Sequence, residues 1–107
     1  MAQVVEVSDD TFDAEVIQAD TLVAAEFYTQ FCPTCKRLTP VFEELSDDYS
    51  GRVKFVKADI AKAGERARKL AVLSAPSIVL LKNGEEVDRV AGYADRAKLA
   101  KMIDDQL

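Results

Sequence analysis

Apolar residues recur along this chain in two rhythms, and the most specific chemistry sits where one gives way to the other. Leu22-Val23-Ala24-Ala25-Glu26-Phe27-Tyr28 is apolar almost without a break. A run of this length reads as a strand covered on both faces, as parallel strands tend to be. Further on, Leu38, Val41, Phe42, Leu45 and Tyr49 repeat at intervals of three and four. That spacing is one face of a helix, predicted from about Pro33 to Tyr49. Pro40 lies inside it and predicts a kink, because proline has no N–H to bond back one turn. Between the two runs stands Phe31-Cys32-Pro33-Thr34-Cys35-Lys36, which holds both cysteines of the chain.

The other elements follow from the same patterns. Val4, Val5 and Val7 suggest a short first strand. Ser8-Asp9-Asp10 then offers capping side chains for a helix whose inner face is Phe12, Val16 and Ile17. Ser50-Gly51 closes the long helix, and Val53-Lys54-Phe55-Val56-Lys57-Ala58 reads as the next strand. Ile60, Ala63, Ala67 and Leu70 predict a third helix, weakened by Gly64, with Lys62, Arg66, Arg68 and Lys69 as its solvated face. Ala75-Pro76-Ser77 opens a strand, Ile78-Val79-Leu80-Leu81. Asn83-Gly84 signals a tight hairpin, returning antiparallel over about 86–91. Asp95 can cap a last helix with Leu99, Ile103 and Leu107 inward. Asp104 and Asp105 fall at that helix's negative end, which predicts fraying there. The order is βαβαβαββα. It predicts an α/β fold with a central five-stranded mixed sheet and helices on both faces.

Composition narrows this picture. The 107 residues suit a single domain, 1–107, with one core. The net charge of -5 argues against nucleic acid, whose binding draws on excess lysine and arginine. No apolar run reaches bilayer length. Met1-Ala2-Gln3-Val4-Val5-Glu6 lacks the basic-then-apolar pattern of a secretory leader, which predicts a cytoplasmic location. The chain has no histidine, so catalysis by serine–histidine or cysteine–histidine pairs is excluded, as are histidine metal sites. Two cysteines make only half of a four-ligand zinc site. The four glycines are scattered and form no phosphate loop.

The cysteine pair lies where a strand ends and a helix begins. Free backbone N–H groups and the positive end of the helix dipole favour an anion there. A thiol so placed ionises readily, and the thiolate is the form that attacks disulfides. Pro33 suits a first helical turn. Cys32, first in the helix and the more exposed, is the candidate nucleophile. Cys35, deeper and on the same side of the turn, is the candidate resolving thiol. Other readings are two structural thiols, or half a metal site completed by a second chain. Glu26, set among Leu22, Val23, Ala25 and Phe27, is costly to bury charged, so its pKa should rise. That suits proton exchange with Cys35; the alternative is a carboxylate that snorkels to the strand's end. Pro76 by itself reads as a strand-initiating proline.

Together these features resemble the thioredoxin family, over essentially the whole chain. The resemblance rests on an acidic residue in the strand before Cys-x-x-Cys-Lys, Pro40 within the helix, Ala75-Pro76, Lys82-Asn83-Gly84-Glu85 and Gly92. It implies a thiol–disulfide oxidoreductase that reduces protein disulfides. It also implies a monomer without cofactor, recharged by an NADPH-dependent thioredoxin reductase. By the same resemblance Ala75-Pro76 is cis, Glu26 exchanges a proton with Cys35, and Lys57 is the lysine beside Glu26. Phe31, Thr34, Ala75, Pro76 and Gly92, with Tyr93 beside them, rim the substrate surface. The chain departs from the family's Trp-Cys-Gly-Pro-Cys-Lys. Pro33 directly after the first cysteine is closer to the Cys-Pro-Tyr-Cys of glutaredoxins, so a glutathione-coupled oxidoreductase is the alternative enzyme. A non-catalytic metal- or cluster-binding module of the same fold is the alternative outside enzymes. Glu26 and Tyr28 replace the usual aspartate and tryptophan. The Thr34 hydroxyl can donate to a Cys32 thiolate, which favours the reduced form; the alternative is that it only faces solvent.

Overall fold

Strand β2, Leu22–Tyr28, runs through the middle of the sheet and is apolar on both faces because both faces are covered. The computed structural model describes residues 3–107. Met1 and Ala2, which begin both the expected domain and the stretch read against a secretory leader, lie outside them. The strand order is β1-β3-β2-β4-β5, with β1 Val4–Val7, β3 Val53–Asp59, β4 Ser77–Lys82 and β5 Glu85–Ala91. The β1–β3 and β3–β2 pairs are parallel, and the β2–β4 and β4–β5 pairs are antiparallel, so the sheet is mixed.

Alternation along β2 divides the core. Val23, Ala25 and Phe27 point to one face, where Phe12, Val16 and Ala67 cover them. Leu22 and Ala24 point to the other, beneath Leu38, Phe42 and Leu45 of helix α1, Pro33–Asp48, and Leu99 and Ile103 of the C-terminal helix, Arg96–Gln106. Each of the valine, leucine, isoleucine and phenylalanine side chains among them, fully buried, contributes about 1.5–3 kcal/mol. Glu26 takes the next position on this second face, where α1 begins. The long helix passes through Pro40 without ending.

Four sequence expectations are corrected. The first helix is only a single π-helical turn, Asp13–Ile17, entered without a side-chain cap. The Asp9 carboxylate caps another element instead. It accepts from the backbone N–H groups of Glu65 and Arg66, in the first turn of α2, Gly64–Lys69. Second, α2 is shorter than the apolar spacing suggested. Ile60 and Ala63 fall in the turn before it, where the Asp59 side chain takes the Ala61 N–H. Arg66 is also more than a solvated residue, since its guanidinium pairs with Asp13 and stacks on the Phe12 ring. Third, Leu107 is exposed rather than inward. Fourth, the last helix, α3, holds to Gln106 despite its acidic end. There the Tyr49 hydroxyl donates to Asp104 at 2.6 Å, and Lys101 pairs with Asp105.

The β4–β5 hairpin turns on Asn83 and Gly84, with φ of 55° and 81°. Positive φ at both positions is what a type I′ turn requires. A Cβ on Gly84 would also stand 3.0 Å from Ile17 Cγ2 and 3.1 Å from its carbonyl oxygen. The turn therefore seats the hairpin against the π-helical segment.

Candidate functional site

Where β2 ends, the chain passes through Thr29, Gln30 and Phe31 into the N-cap of α1. Cys32 is that cap: its backbone is extended, and its sulfur accepts from the Cys35 N–H at 3.1 Å. Pro33 follows in the first turn, where its missing N–H costs nothing. The Lys36 N–H closes the first backbone bond to the Cys32 carbonyl. Cys32 and Cys35 form a disulfide, with Cα atoms 5.2 Å apart. The two residues are 9% and 4% exposed, so Cys32 is the more accessible.

One loop from another part of the chain meets Cys32, and a second is bonded to that loop. Cys32 Sγ lies 3.8 Å from the Ala75 carbonyl oxygen. The Ala75–Pro76 bond that follows is cis. The Gly92 N–H donates to the Pro76 carbonyl at 2.7 Å. Gly92 has φ of 84°, and open space surrounds the point where a Cβ would stand. Phe31, 95% exposed, and Leu73, 94% exposed, are the most open large apolar side chains among the described residues. Tyr93 is half-exposed, and the Arg37 guanidinium sits 4.7 Å above its ring. The Thr34 hydroxyl has no hydrogen-bond partner among the described residues. The exposure of Leu73 is what the sequence pattern did not indicate. Its only signal is a bulky apolar residue between Val72 and the small Ser74-Ala75, with no periodicity to place it inward.

Behind Cys35 a cleft of about 140 Å³ leads inward past Lys36 and Thr39 to Glu26. Glu26 is buried at 3% exposure. Burial pushes its carboxyl up to about 7, with Glu43 and Glu6 adding to the rise and Lys57 opposing it. Lys57 is the register neighbour of Glu26 across β2 and β3. Its ammonium, however, makes its ion pair with Glu6 at 3.8 Å and lies 5.7 Å from the centre of the Tyr28 ring. At the mouth of the cleft Gln30 donates to Asp59 at 2.7 Å. That bond holds the Asp59 carboxyl below its usual range. The cleft thus joins one buried, readily protonated carboxyl to the inner of two sulfurs at a helix start.

The thioredoxin family model matches residues 3–105. Thioredoxin C-2 of Corynebacterium nephridii is 39% identical over 106 residues, spanning 99% of this chain and 98% of that protein. The thioredoxins of Staphylococcus epidermidis and Staphylococcus haemolyticus are each 36% identical over 104 residues, spanning 97% of this chain and 98% of each of those proteins. Similarity of that breadth, on this sheet and around this cysteine pair, means that the chain belongs to the thioredoxin family.

Proposed function

We propose that the protein reduces the disulfides of other proteins, cycling Cys32 and Cys35 between dithiol and disulfide. The observation that carries this is the Cys32 sulfur at the tip of α1, accepting an N–H of the first turn with Cys35 bonded to it. An acceptor site for a neutral sulfur is a better one for a thiolate, which lowers the thiol's pKa.

In the dithiol state, Cys32 thiolate attacks one sulfur of a substrate disulfide. The substrate bond breaks, a mixed disulfide forms, and the departing substrate thiolate takes a proton. The Cys35 thiol then gives its proton to the Glu26 carboxylate across the cleft. Cys35 thiolate attacks Cys32 Sγ, the Cys32–Cys35 bond closes, and the second substrate thiolate leaves. Two electrons pass from the protein to the substrate. A group whose pKa lies near 7 is matched to this proton transfer at neutral pH. Phe31, Thr34, Ala75, Pro76 and Gly92 form the rim against which the substrate chain rests, and Lys57 tunes Glu26 from the next strand.

A flavin-dependent NADPH thioredoxin reductase restores the dithiol. The cytoplasm suits this cycle, because its thiol pools keep dithiols reduced. The family match from residue 3 to 105 supports one domain over 1–107, and no helix of the described residues is long and apolar enough to cross a membrane.

The test is turnover of an insulin-type disulfide with dithiothreitol. Cys32→Ser should abolish it, and Cys35→Ser should accumulate a mixed disulfide with substrate. Full activity in Cys32→Ser would refute the reading. Supplying either NADPH with a thioredoxin reductase or glutathione then identifies the recharging system; support by glutathione alone would make the protein glutaredoxin-like in its coupling.

A further inference from the structure

Glu6, Lys57 and Glu26 stand in one row across three strands. Glu6 of β1 is in register with Lys57 of β3, and Lys57 is in register with Glu26 of β2. Register neighbours of a sheet put their side chains on the same face, so a single cation lies between two carboxylates. It is not shared evenly. The ammonium is 3.8 Å from Glu6 Oε1, and no ion pair with Glu26 forms among the described residues. Tyr28 reinforces the bias. Its hydroxyl donates to Glu6 at 2.9 and 3.1 Å, and its ring passes over the ammonium. Tyr28 remains a donor at any ordinary pH, because burial and the Glu6 carboxylate both push its hydroxyl up.

We propose that Glu6 is a positioning residue that governs where Glu26 holds its proton, by keeping the Lys57 ammonium at the edge of the sheet. The other groups facing Glu26 leave it without a competing cation at close range. Glu43 of α1 is negative, and Lys36 of α1 lines the outer cleft. Asp59, the next acidic residue along β3, is engaged by Gln30 and the Ala61 N–H. Ile78, the β4 neighbour, is apolar. With Glu6 charged, Lys57 is partly neutralised and held outward, and the buried carboxyl exchanges its proton close to neutral pH. With Glu6 uncharged, the ammonium is free to swing inward and ionise Glu26. Because the inference concerns Glu26, its catalytic consequence rests on the proton-transfer role proposed above.

The experiment follows the Glu26 carboxyl by carbon NMR through a pH titration of the oxidised protein, which needs no turnover. Glu6→Gln keeps an acceptor for Tyr28 and removes only the charge. It should lower the Glu26 midpoint by about half a pH unit or more, since both direct repulsion and the tether on Lys57 are lost. In Lys57→Gln protein, whose Glu26 midpoint lies higher, the same Glu6→Gln change should move the midpoint by less than half as much. An unmoved midpoint overturns the proposal. So does an equal shift in both backgrounds, which means that Glu6 acts by direct repulsion alone. Turnover across pH is measured alongside. A midpoint that shifts as expected while the pH profile of turnover stays fixed supports the Glu6 inference and removes Glu26 from the mechanism.

Discussion

At the scale of single residues, Glu26 carries the clearest consequences. A carboxyl raised from 4.5 to about 7 holds its proton in the folded state after the unfolded chain has lost it. Between those two values the unfolded state binds fewer protons, so stability falls as pH rises through that window and stays low above it. The loss is roughly 3 kcal/mol. Glu26→Gln should therefore raise the melting temperature at ~pH 8 and change it little at ~pH 4, as thermal unfolding at the two values will show. The same variant should slow turnover near neutrality while Cys32 alkylation stays near the parent's rate; unchanged turnover would remove Glu26 from the cycle. Thr34 sits in the first turn with an unengaged hydroxyl. In the dithiol it is available to a Cys32 thiolate, and such a bond to a charged group contributes about 1.5–3 kcal/mol. Thr34→Val should lower the reduction potential by roughly 30–60 mV, read by equilibration with a glutathione buffer. An unchanged potential means that Thr34 faces only solvent. The placement of Cys32 and Cys35 at a helix start and the burial of Glu26 were legible in the sequence, because chemistry that costs free energy to place stands out from its surroundings. Lys57 was legible as a neighbour of Glu26, but its preference for Glu6 was not. That choice depends on a Tyr28 hydroxyl arriving from two positions along the adjacent strand.

At the scale of elements, helix ends show how much local pattern can mislead. Asp104 and Asp105 oppose the dipole of α3, and taken alone they should fray it. Tyr49, the C-cap of α1, changes the outcome by donating to Asp104 across the interface between the two helices. Burial and this carboxylate together push the Tyr49 hydroxyl up to about 12, so it donates over the whole working range. Tyr49→Phe should cost about 1–2 kcal/mol in urea unfolding. It should also release the last turn of α3, seen as faster amide exchange near Gln106. Exchange no faster than the parent's would show that apolar packing by Leu99 and Ile103 suffices. The strands were legible to within a residue or so, because continuous apolar runs and an Asn-Gly turn are local signals. The π-helical segment was not, since Phe12, Val16 and Ile17 have the same spacing whether one turn forms or three.

At the scale of the whole molecule, Asp9 illustrates what chain order conceals. Its place after β1 suggested a cap for the nearest helix, yet it caps α2, more than fifty residues later, because both lie on the same face of the sheet. Asp9→Ala should destabilise the protein by about 1 kcal/mol and loosen amides of α2 such as Leu70, with little change around the cysteines. If the cysteine region loosened instead, the two faces of the sheet would not be independent. The sequence by itself determined the α/β class, the run of elements and the residues able to carry redox chemistry. Each of these rests on local spacing, or on the presence and absence of reactive side chains. Tertiary structure alone decided the strand order that sets Glu6, Lys57 and Glu26 in one row. It alone decided that the Ala75–Pro76 loop meets Cys32 and the Gly92 loop meets Pro76, and it chose the donors that settle each charged side chain. Those outcomes compare contacts between residues far apart in the chain, and the free energy that selects among them exists only once the sheet has brought them together.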